Sequence, residues 1–356
     1  MLSELTVFAT RGDQLSRDQV ASAVRALIDE TVSVVEKADF LEALARKGET
    51  PGEISAFAAE LRAKAVGLPV PEAVRQAGLL DVVGTGGDRA GTLNLSTAAA
   101  LVAAAAGVYV AKHGNRAITS QCGSADVLQA LGVPTECDPE ESAARLRARG
   151  FTFLFAPRYH PAFRTIAPAR ALCAERGRRT IFNFLGPLLN PARPTFQLLG
   201  VPSPEWCEPL ALALQRLGVR RGLVVCGRAG SWEDGEPRYL DELSTLAETR
   251  VASFQPGSGV ALSSLRPADF ALQPATLSDL AGGDSAQNAQ QIRRILTGQE
   301  RGPQRDAVLL NAGAALFAAG RASSIHEGWL LAQGVIARGD AGRKLDELTA
   351  PWTQPS

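Results

Sequence analysis

Apolar residues recur at helical spacing across residues 15–67, with no strand-like alternation. Val20 and Val24 belong to one such stripe, and spacing of three and four residues is typical of an amphipathic helix. The proline- and glycine-rich stretch 67–71 ends the pattern. We therefore expect a small helical domain over residues 1–70.

Beyond residue 78 the pattern changes, because short β-branched runs alternate with stretches of helical spacing. This alternation predicts an α/β fold with a largely parallel central sheet and crossover helices. We assign residues 71–159 and 190–356 to this larger domain, and we expect a polar loop over 227–238. The predicted strands are Leu79–Val83, Val108–Ala111, Phe151–Phe155, Gln197–Gly200 and Gly222–Val225.

Composition narrows the choice of protein class. The chain of 356 residues can bury a large core, and its 37 basic residues balance its 37 acidic ones, so no net field favours nucleic acid or a membrane surface. The apolar run 98–111 is too short to span a bilayer, and the first residues lack the features of a signal peptide. Five cysteines without Cys-x-x-Cys spacing favour reduced thiols and a cytoplasmic protein.

The glycine-rich run Asp81–Asp88 carries the strongest chemical signal. Its glycines permit positive φ and close approach to a ligand. Asn94, Ser96 and Thr97 then place polar groups at the start of a helix predicted over about 97–106. Backbone N–H groups at such a helix start favour phosphate, although a glycine turn capped by Asn94 or Ser96 is the simpler alternative. The spacing fits neither a Walker loop nor a dinucleotide fingerprint.

A second polar segment, Lys112-His-Gly-Asn-Arg116, follows the next predicted strand. Because the carboxyl ends of parallel strands face the ligand crevice, these side chains are candidates for that crevice. Lys112 and Arg116 could neutralise phosphates, and Asn115 could orient an aromatic or sugar ligand. A solvated basic turn is the alternative, which the flanking glycines make less favourable.

These motifs resemble those of the anthranilate phosphoribosyltransferase family, whose members join anthranilate to phosphoribosyl pyrophosphate (PRPP) in tryptophan synthesis. The resemblance spans nearly the whole chain in the expected order. It implies that residues 160–189 return to the helical domain and that the site lies in the crevice between domains. The matching pieces are Gly84–Asp88, Asn94–Thr97, Lys112–Arg116, Gly123–Asp126, His160–Ala162, Ala167–Arg170, Thr180–Pro191, Leu240–Ser244, Gly282–Asp284, Asn288–Ala289 and Asp306–Ala315.

The resemblance also implies which residues meet each substrate. Arg170 would face the anthranilate carboxylate, for which its planar fork is a natural partner. For His160 a helix-start role is equally acceptable, and Gly186-Pro187 would also suit an ordinary turn. The residues implied for PRPP are Gly84, Thr85, Gly86, Gly87, Asp88, Thr92, Asn94, Ser96, Thr97, Lys112 and Ser124. Those implied for anthranilate are Gly84, His113, Asn115, His160, Arg170, Gly186 and Pro187.

Asp241 and Glu242 are the candidate metal ligands. On a loop, two adjacent carboxylates can reach one Mg²⁺ whose remaining ligands are phosphates and water, although carboxylates on a solvated surface are the commoner case. The resemblance implies that this pair holds Mg²⁺ against the pyrophosphate and that Ser96 assists at another ion.

The expected chemistry is displacement of pyrophosphate from the ribose C1, which builds positive charge on the ring and negative charge on the leaving group. Lys112, His113 and Arg170 are the residues expected to serve this step. Because an aromatic amine is already neutral, no strong general base is required. His113 is expected to hydrogen-bond the amine rather than to remove its proton.

The chain departs from the family pattern at several positions. These departures leave the phosphate motifs whole, so they bear on the acceptor more than on phosphoribosyl chemistry. They are Cys122 and Thr119 where serine is usual, a longer interval between Arg170 and Thr180, an insertion at Arg228–Arg238, Tyr239 in place of a glycine and Cys226 in place of a histidine.

Three other functions fit parts of the sequence. Transfer to another aromatic acceptor would use the same phosphate motifs. A nucleoside phosphorylase of this architecture would carry a Lys-x-Ser-x-Arg phosphate motif, which is not evident here. A non-catalytic relative that binds nucleic acid would need a basic groove, against the zero net charge.

The helical region also predicts an oligomer. Helices around Val20–Leu27 and Phe40–Leu44 carry more apolar residues than we expect so small a domain to cover. Two-fold dimers are the commonest homo-oligomers, and the resemblance implies pairing through this domain. We therefore expect a homodimer in which each subunit has a complete site.

Overall fold

The computed structural model describes residues 2–117 and 121–352, so Thr119 lies outside the described residues. The α-helices are α1 (Leu2–Thr10), α2 (Arg17–Ile28), α3 (Val34–Lys47), α4 (Pro51–Ala63), α5 (Glu72–Ala77), α6 (Leu95–Ala105), α7 (Ser124–Leu131), α8 (Pro139–Arg149), α9 (Ala156–Tyr159), α10 (Phe163–Glu175), α11 (Phe182–Leu185), α12 (Cys207–Arg216), α13 (Ser285–Leu296), α14 (Pro303–Ala318), α15 (Ile325–Ala337) and α16 (Asp340–Thr349). The strands are β1 (Leu79–Gly84), β2 (Tyr109–Gly114), β3 (Phe151–Phe155), β4 (Phe196–Gly200), β5 (Arg221–Ser231), β6 (Pro237–Leu240), β7 (Thr249–Phe254) and β8 (Ala261–Leu265). Short 3₁₀ segments cover Gly186–Leu189, Pro204–Trp206, Pro267–Asp269 and Leu277–Leu280.

The N-terminal helices begin and end where the sequence supplies caps. The Ser16 side chain accepts from the backbone of Gln19 in a capping box at the start of α2. Gly48, with φ of 83°, ends α3, and Thr50 opens α4 with a second capping box. The predicted helical N-terminal region is therefore confirmed.

The strands form one sheet in the order β3-β2-β1-β4-β5-β7-β8, with β6 paired to the outer part of β5. Neighbours from β3 to β5 run parallel, whereas β6, β7 and β8 run antiparallel. The largely parallel sheet is confirmed, and its antiparallel edge is an addition that the sequence pattern does not predict. Gly84 opposes Gly200 in register, so β1 and β4 end at the same edge.

Several predicted boundaries differ from the structure by one or two residues, and two differ enough to change where site residues lie. The strand expected to end at Ala111 continues to Gly114, so Lys112 and His113 lie on β2 rather than on the loop after it. Residues 227–238 form a β-hairpin of β5 and β6 rather than a polar loop. The hairpin residues are mostly exposed, so they lack the alternation of apolar and polar residues that marks a half-buried strand.

The apolar faces of α2 and α3 are buried within the chain, contrary to expectation. Val20, Leu27, Phe40 and Leu44 each have an exposure of 0%. The cover comes from later in the sequence, because α10 packs against α2 and α3, and α12 packs against α4. The premise that these positions leave apolar surface uncovered is therefore wrong.

The cysteines are buried, and none forms a disulfide, as predicted. Among the helices that the structure describes, none is both long and apolar enough to cross a membrane.

Candidate active site

The glycine loop leaves β1 at the carboxyl edge of the sheet. Gly86 and Gly87 have φ of 74° and 84°, and no other atom lies within 4 Å of where their Cβ atoms would be. The Gly86 N–H donates to Asp241 Oδ2 over 2.6 Å, and the Thr85 N–H donates to the Gly200 carbonyl over 3.0 Å. Asp88 Oδ2 accepts from the Asp241 N–H over 3.5 Å. The loop therefore has free space beside Gly86 and Gly87, and hydrogen bonds to Asp241 fix its backbone.

The start of α6 is organised differently from a simple cap. Asn94 makes no side-chain cap, so that alternative is wrong for Asn94. Its amide donates to the Cys122 carbonyl over 3.0 Å and accepts from Asn288 Nδ2 over 3.0 Å. The Ser96 N–H donates to Glu242 Oε1 over 3.1 Å. The N-terminus of α6 therefore faces a carboxylate of the candidate metal pair.

Two further PRPP candidates lie on the same helix start and on the loop before it. Thr97 is buried, and its hydroxyl has no hydrogen-bond partner among the described residues. Thr92 pairs with Ala281 in an isolated antiparallel bridge. These contacts bring the segment before α13 beside the glycine loop.

Lys112 lies beneath the loop rather than on its surface. Its ammonium donates to the Val82 carbonyl and to Ser96 Oγ, the latter over 3.3 Å. Burial lowers the pKa of Lys112, while Asp81, Glu242 and Asp241 act in the opposite direction. Its charge therefore offsets the charges of these three neighbouring carboxylates.

The segment after β2 is tied to α7. Arg116 pairs with Asp126 over 3.1 Å and with Glu136 over 2.8 Å, so its guanidinium is already committed to two acids. The phosphate role considered for Arg116 therefore gains no support. Asn115 Oδ1 accepts from the Arg116 N–H over 2.8 Å, and Ser124 Oγ donates to the Asn115 carbonyl over 3.2 Å.

Asp241 and Glu242 form a half-buried acidic pair. Burial raises the pKa of Asp241 well above its ordinary range, and the nearby Asp88 and Glu242 raise it further. Burial also raises the pKa of Glu242 to about 8, although Lys112 acts to lower it. Crowded carboxylates of this kind are the groups that a divalent cation relieves.

The donor set fits Mg²⁺ that is held partly by substrate. Across residues 2–117 and 121–352, no group of three or more His, Cys, Asp or Glu side chains is arranged to hold an ion by itself. Mg²⁺ commonly uses one or two carboxylates together with waters and substrate phosphates. Asp241 and Glu242, with the Ser96 hydroxyl nearby, meet that description.

A row of rings leads away from the loop towards Arg170. The ring centroids of His113 and His160 are 5.1 Å apart, and those of His160 and Phe163 are 5.6 Å apart. Phe163 lies 5.6 Å from Phe182, and the Arg170 Cζ atom lies 5.5 Å from the Phe182 ring centroid. In the described part of the chain Arg170 pairs with no carboxylate. A flat carboxylate-bearing ring would suit this arrangement.

Burial disfavours the protonated form of both imidazoles of this row. Burial lowers the pKa of His113 well below its ordinary value, and it lowers the pKa of His160 to about 4. Hydrogen bonds to the backbone at Gly186 and Leu189 act in the raising direction, as a carbonyl acceptor does. The Nε2 atoms of both rings are buried without a partner among the described residues, so each offers a lone pair.

The 3₁₀ segment Gly186–Leu189 is fixed by side chains that the sequence reasoning did not name. Arg62 Nε donates to the Leu188 carbonyl, and its buried Nη2 has no partner among the described residues. Gln197 Nε2 donates to the Pro187 carbonyl over 2.8 Å. Burial lowers the pKa of Arg62 to about 10, and its positive charge lowers the pKa of the neighbouring His160.

Asp81 and Asn190 fall within the sequence motifs, but neither is among the predicted substrate or metal residues. Asp81 Oδ1 accepts from the His113 N–H over 3.3 Å, and Asp81 Oδ2 accepts from Asn190 Nδ2 over 2.9 Å. Both side chains have an exposure of 0%. A buried carboxylate inside an otherwise apolar strand was the available signal, because such a group needs an internal partner.

The fold and these two halves of a site define a class of protein. Residues 76–342 match the α/β domain of a glycosyl transferase family, and residues 9–65 match its helical bundle domain. The chain belongs to this glycosyl transferase family.

Its similar relatives share one name. The anthranilate phosphoribosyltransferase of Thermus thermophilus is 47% identical over 96% of this chain and 97% of its own. That of Herpetosiphon aurantiacus is 43% identical over 98% of both chains. The crystal structure of the Thermus thermophilus enzyme has a TM-score of 0.85 at 47% identity and covers 97% of this chain and 98% of that chain. The Saccharomyces cerevisiae enzyme in complex with PRPP and Mg has a TM-score of 0.83 at 25% identity, with 98% and 96% coverage.

Proposed function

We propose that this protein transfers the phosphoribosyl group of PRPP to the amine of anthranilate. The products are N-(5-phosphoribosyl)anthranilate and pyrophosphate, in tryptophan biosynthesis. The observation that carries this proposal is that two half-sites lie at the carboxyl ends of the neighbouring parallel strands β1 and β2. One is the glycine loop with the Asp241–Glu242 pair, and the other is the row of rings that begins at His113 and ends near Arg170. The similar yeast enzyme has been solved with PRPP and Mg and with 4-fluoroanthranilate.

The phosphate half would bind PRPP along the outer part of the glycine loop at Gly87 and Asp88, with the unpartnered Thr97 hydroxyl at the start of α6 as a further donor. Asp241 and Glu242, with Ser96, would hold Mg²⁺, which neutralises the charge of the leaving pyrophosphate. The positive charge of Lys112 offsets the negative charge of these carboxylates. Its ammonium is fixed by hydrogen bonds to the Val82 carbonyl and to Ser96 Oγ.

The acceptor half would hold anthranilate flat against the rings. Arg170 donates to the carboxylate of anthranilate, and the neutral Nε2 atoms of His113 and His160 accept hydrogen bonds from its amine. This keeps the amine nitrogen lone pair directed to the ribose C1, where proximity and orientation provide most of the acceleration. Neither imidazole needs to act as a strong base.

The direct test follows the fluorescence of anthranilate. The purified protein with PRPP and Mg²⁺ should consume anthranilate and release pyrophosphate, and omission of either PRPP or Mg²⁺ should stop the signal. A folded protein that consumes no anthranilate under these conditions would refute the proposal. Consumption of another aromatic amine in its place would keep phosphoribosyl transfer and reassign the acceptor.

We also propose the domain division and the compartment. Residues 1–70 with about 160–189 form the helical domain, and residues 71–159 and 190–356 form the α/β domain, which the packing of α10 on α2 and α3 supports. Cytoplasmic action is supported by five cysteines that form no disulfide.

A homodimer remains our proposal, now on a different surface of the helical domain. Val7 of α1 and Val34 and Val35 of α3 have exposures of 52%, 40% and 53%, and these two helices pack together. A second copy of the chain would cover them. Val35→Glu should lower the mass measured by light scattering, whereas Leu330→Glu, at a comparably exposed position on α15, should not. A monomeric wild-type protein at micromolar concentration would refute the dimer.

A further inference from the structure

The hairpin of β5 and β6 extends beyond the rest of the sheet towards the glycine loop. Its register pairs Gly227 with Leu240 and Arg228 with Tyr239. The Trp232 N–H donates to the Glu236 carbonyl over 2.7 Å and closes the turn, and the Trp232 side chain has an exposure of 40%. The residues of the hairpin lie beyond the part of β5 that pairs with β4, and most of them are exposed. The hairpin therefore contributes little to the core.

Arg238 is the contact between this hairpin and the glycine loop. Its Nη2 donates to the Arg89 carbonyl over 2.9 Å, across a separation of 149 residues. Its Cζ atom lies 4.1 Å from the Trp232 ring centroid, and the planar guanidinium is suited to such stacking. Its Nε is buried without a hydrogen-bond partner among the described residues. The Arg238 side chain is therefore held by Trp232 and directed at the loop.

The backbone that it meets is strained. Arg89 has φ of 54°, in the left-handed region that side-chain-bearing residues rarely adopt. This residue follows Asp88, whose carboxylate accepts from the Asp241 N–H. Such a backbone conformation persists only where surrounding contacts stabilise it. The hydrogen bond to the Arg89 carbonyl is a contact of this kind.

The short segment from Arg238 to Asp241 thus contacts the glycine loop at three residues, Gly86, Asp88 and Arg89. Arg238 holds the Arg89 carbonyl, the Asp241 N–H donates to Asp88, and the Asp241 carboxylate accepts from Gly86. The first of these contacts comes from the hairpin, whereas the other two come from Asp241, a member of the candidate metal pair.

We propose that the hairpin is a strap that sets the outer half of the glycine loop for the phosphorylated substrate, with Arg238 as its positioning residue. This inference rests on the proposed function, since it takes PRPP as the ligand of the loop. Arg238 does not touch the reacting atoms. It acts through the backbone of Arg89. Its loss should therefore change the KM for PRPP and not the KM for anthranilate.

The test compares Arg238→Met with Arg228→Met. Arg228 lies on the same hairpin, is exposed and has no side-chain hydrogen bond or ion pair among the described residues, so it is the matched control. Arg238→Met should raise the KM for PRPP about tenfold, the size expected for one lost hydrogen bond from a charged donor. The KM for anthranilate and the thermal midpoint should stay near wild type, and Arg228→Met should match wild type throughout.

Trp232 supplies a second pair of variants. Trp232→Phe keeps a ring under the guanidinium and should keep the wild-type KM for PRPP, whereas Trp232→Ser should raise it in the direction of Arg238→Met. An unchanged KM for PRPP in Arg238→Met, or equal losses for both substrates, would overturn the proposal.

A binding measurement separates this inference from the proposed function. Calorimetric titration with pyrophosphate and Mg²⁺ needs no turnover. Weaker binding by Arg238→Met than by wild type supports the strap even if wild type transferred nothing to anthranilate. Equal binding by the two proteins would refute the strap even in an active enzyme.

Discussion

Gly84 and Asp241 lie so close together that a Cβ atom on Gly84 would stand 2.2 Å from Asp241 Oδ2. The absence of that atom lets the Asp241 carboxylate reach the Gly86 N–H at the base of the loop. The glycine at this position is therefore required by a neighbouring carboxylate, and not by backbone conformation, since Gly84 has no positive φ.

Gly84→Ala should displace the Asp241 carboxylate and raise the Mg²⁺ concentration needed for half-maximal activity by about tenfold or more, because the candidate ligand moves away from the loop. The control is Gly67→Ala, where no atom lies within 4 Å of the added Cβ. Mg²⁺ titrations of initial rate make the comparison. A Gly84→Ala enzyme with a wild-type Mg²⁺ curve would argue against this placement.

Asp241→Asn with Glu242→Gln should leave the protein folded and weaken its activation by Mg²⁺ strongly. Both carboxylates lie near Asp88, and burial together with this neighbour raises their pKa values, so their charged forms are unfavourable without the ion. The double substitution removes these groups and, with them, the counter-charge for the ion. We expect a higher thermal midpoint without Mg²⁺ and a smaller gain on adding Mg²⁺ with PRPP. A variant that keeps full activity at limiting Mg²⁺ would exclude these residues as ligands.

Arg170→Ala should raise the KM for anthranilate about tenfold to a hundredfold and change the KM for PRPP little, because one charge-assisted contact to a carboxylate is lost. Arg164→Ala, at an exposed position of the same helix α10, is the matched control. Steady-state kinetics with each substrate varied in turn gives the two constants. Equal losses for both substrates would point to altered packing of α10.

His113 and His160 should stay neutral as the pH is lowered from 8 to 6. The pKa of an imidazole is ordinarily about 6.5, and burial moves both pKa values below this, that of His160 to about 4. Both imidazoles should therefore become protonated only at a pH below 6. The chain has 3 histidines, so nitrogen-15 spectra recorded between pH 8 and pH 6 can follow the two site imidazoles separately.

Arg62→Met should raise the pKa of both site imidazoles, because a nearby positive charge that disfavours protonation is removed. It should also raise the KM for anthranilate, since the Leu188 carbonyl loses its donor. Arg145→Met, which removes another buried arginine away from these rings, should change neither. Unchanged imidazole pKa values in Arg62→Met would remove Arg62 from the acceptor site.

The sequence predicts the parallel part of the fold well because buried strands carry dense β-branched runs. It places the start of β1 and both ends of β3 correctly. It ends β2 too early, because Lys112 and His113 look like loop residues until their buried partners are known. It misses the hairpin because strands exposed on both sides leave no periodic signal.

The candidate site likewise contains residues that the sequence identifies and residues that only the structure identifies. Motifs such as the glycine loop are local, so their residues can be named from the sequence. Arg62 cannot be named in this way, because its partner Leu188 lies 126 positions away. Arg238 and Arg89 are 149 positions apart, and nothing in the local sequence links them. Contacts of this kind depend on how the helical segments and the hairpin pack on the sheet.

The sheet order has a consequence for the growing chain on the ribosome. β1 lies between β2 and β4, and its loop is held by Asp241, so the loop is translated long before its supports. At ~5–20 residues per second, on the order of ten seconds separate the synthesis of Asp88 from that of Asp241. A nascent chain that ends before Asp241 would carry the whole glycine motif yet have no shaped phosphate site. The protein should therefore acquire affinity for PRPP only late in its synthesis.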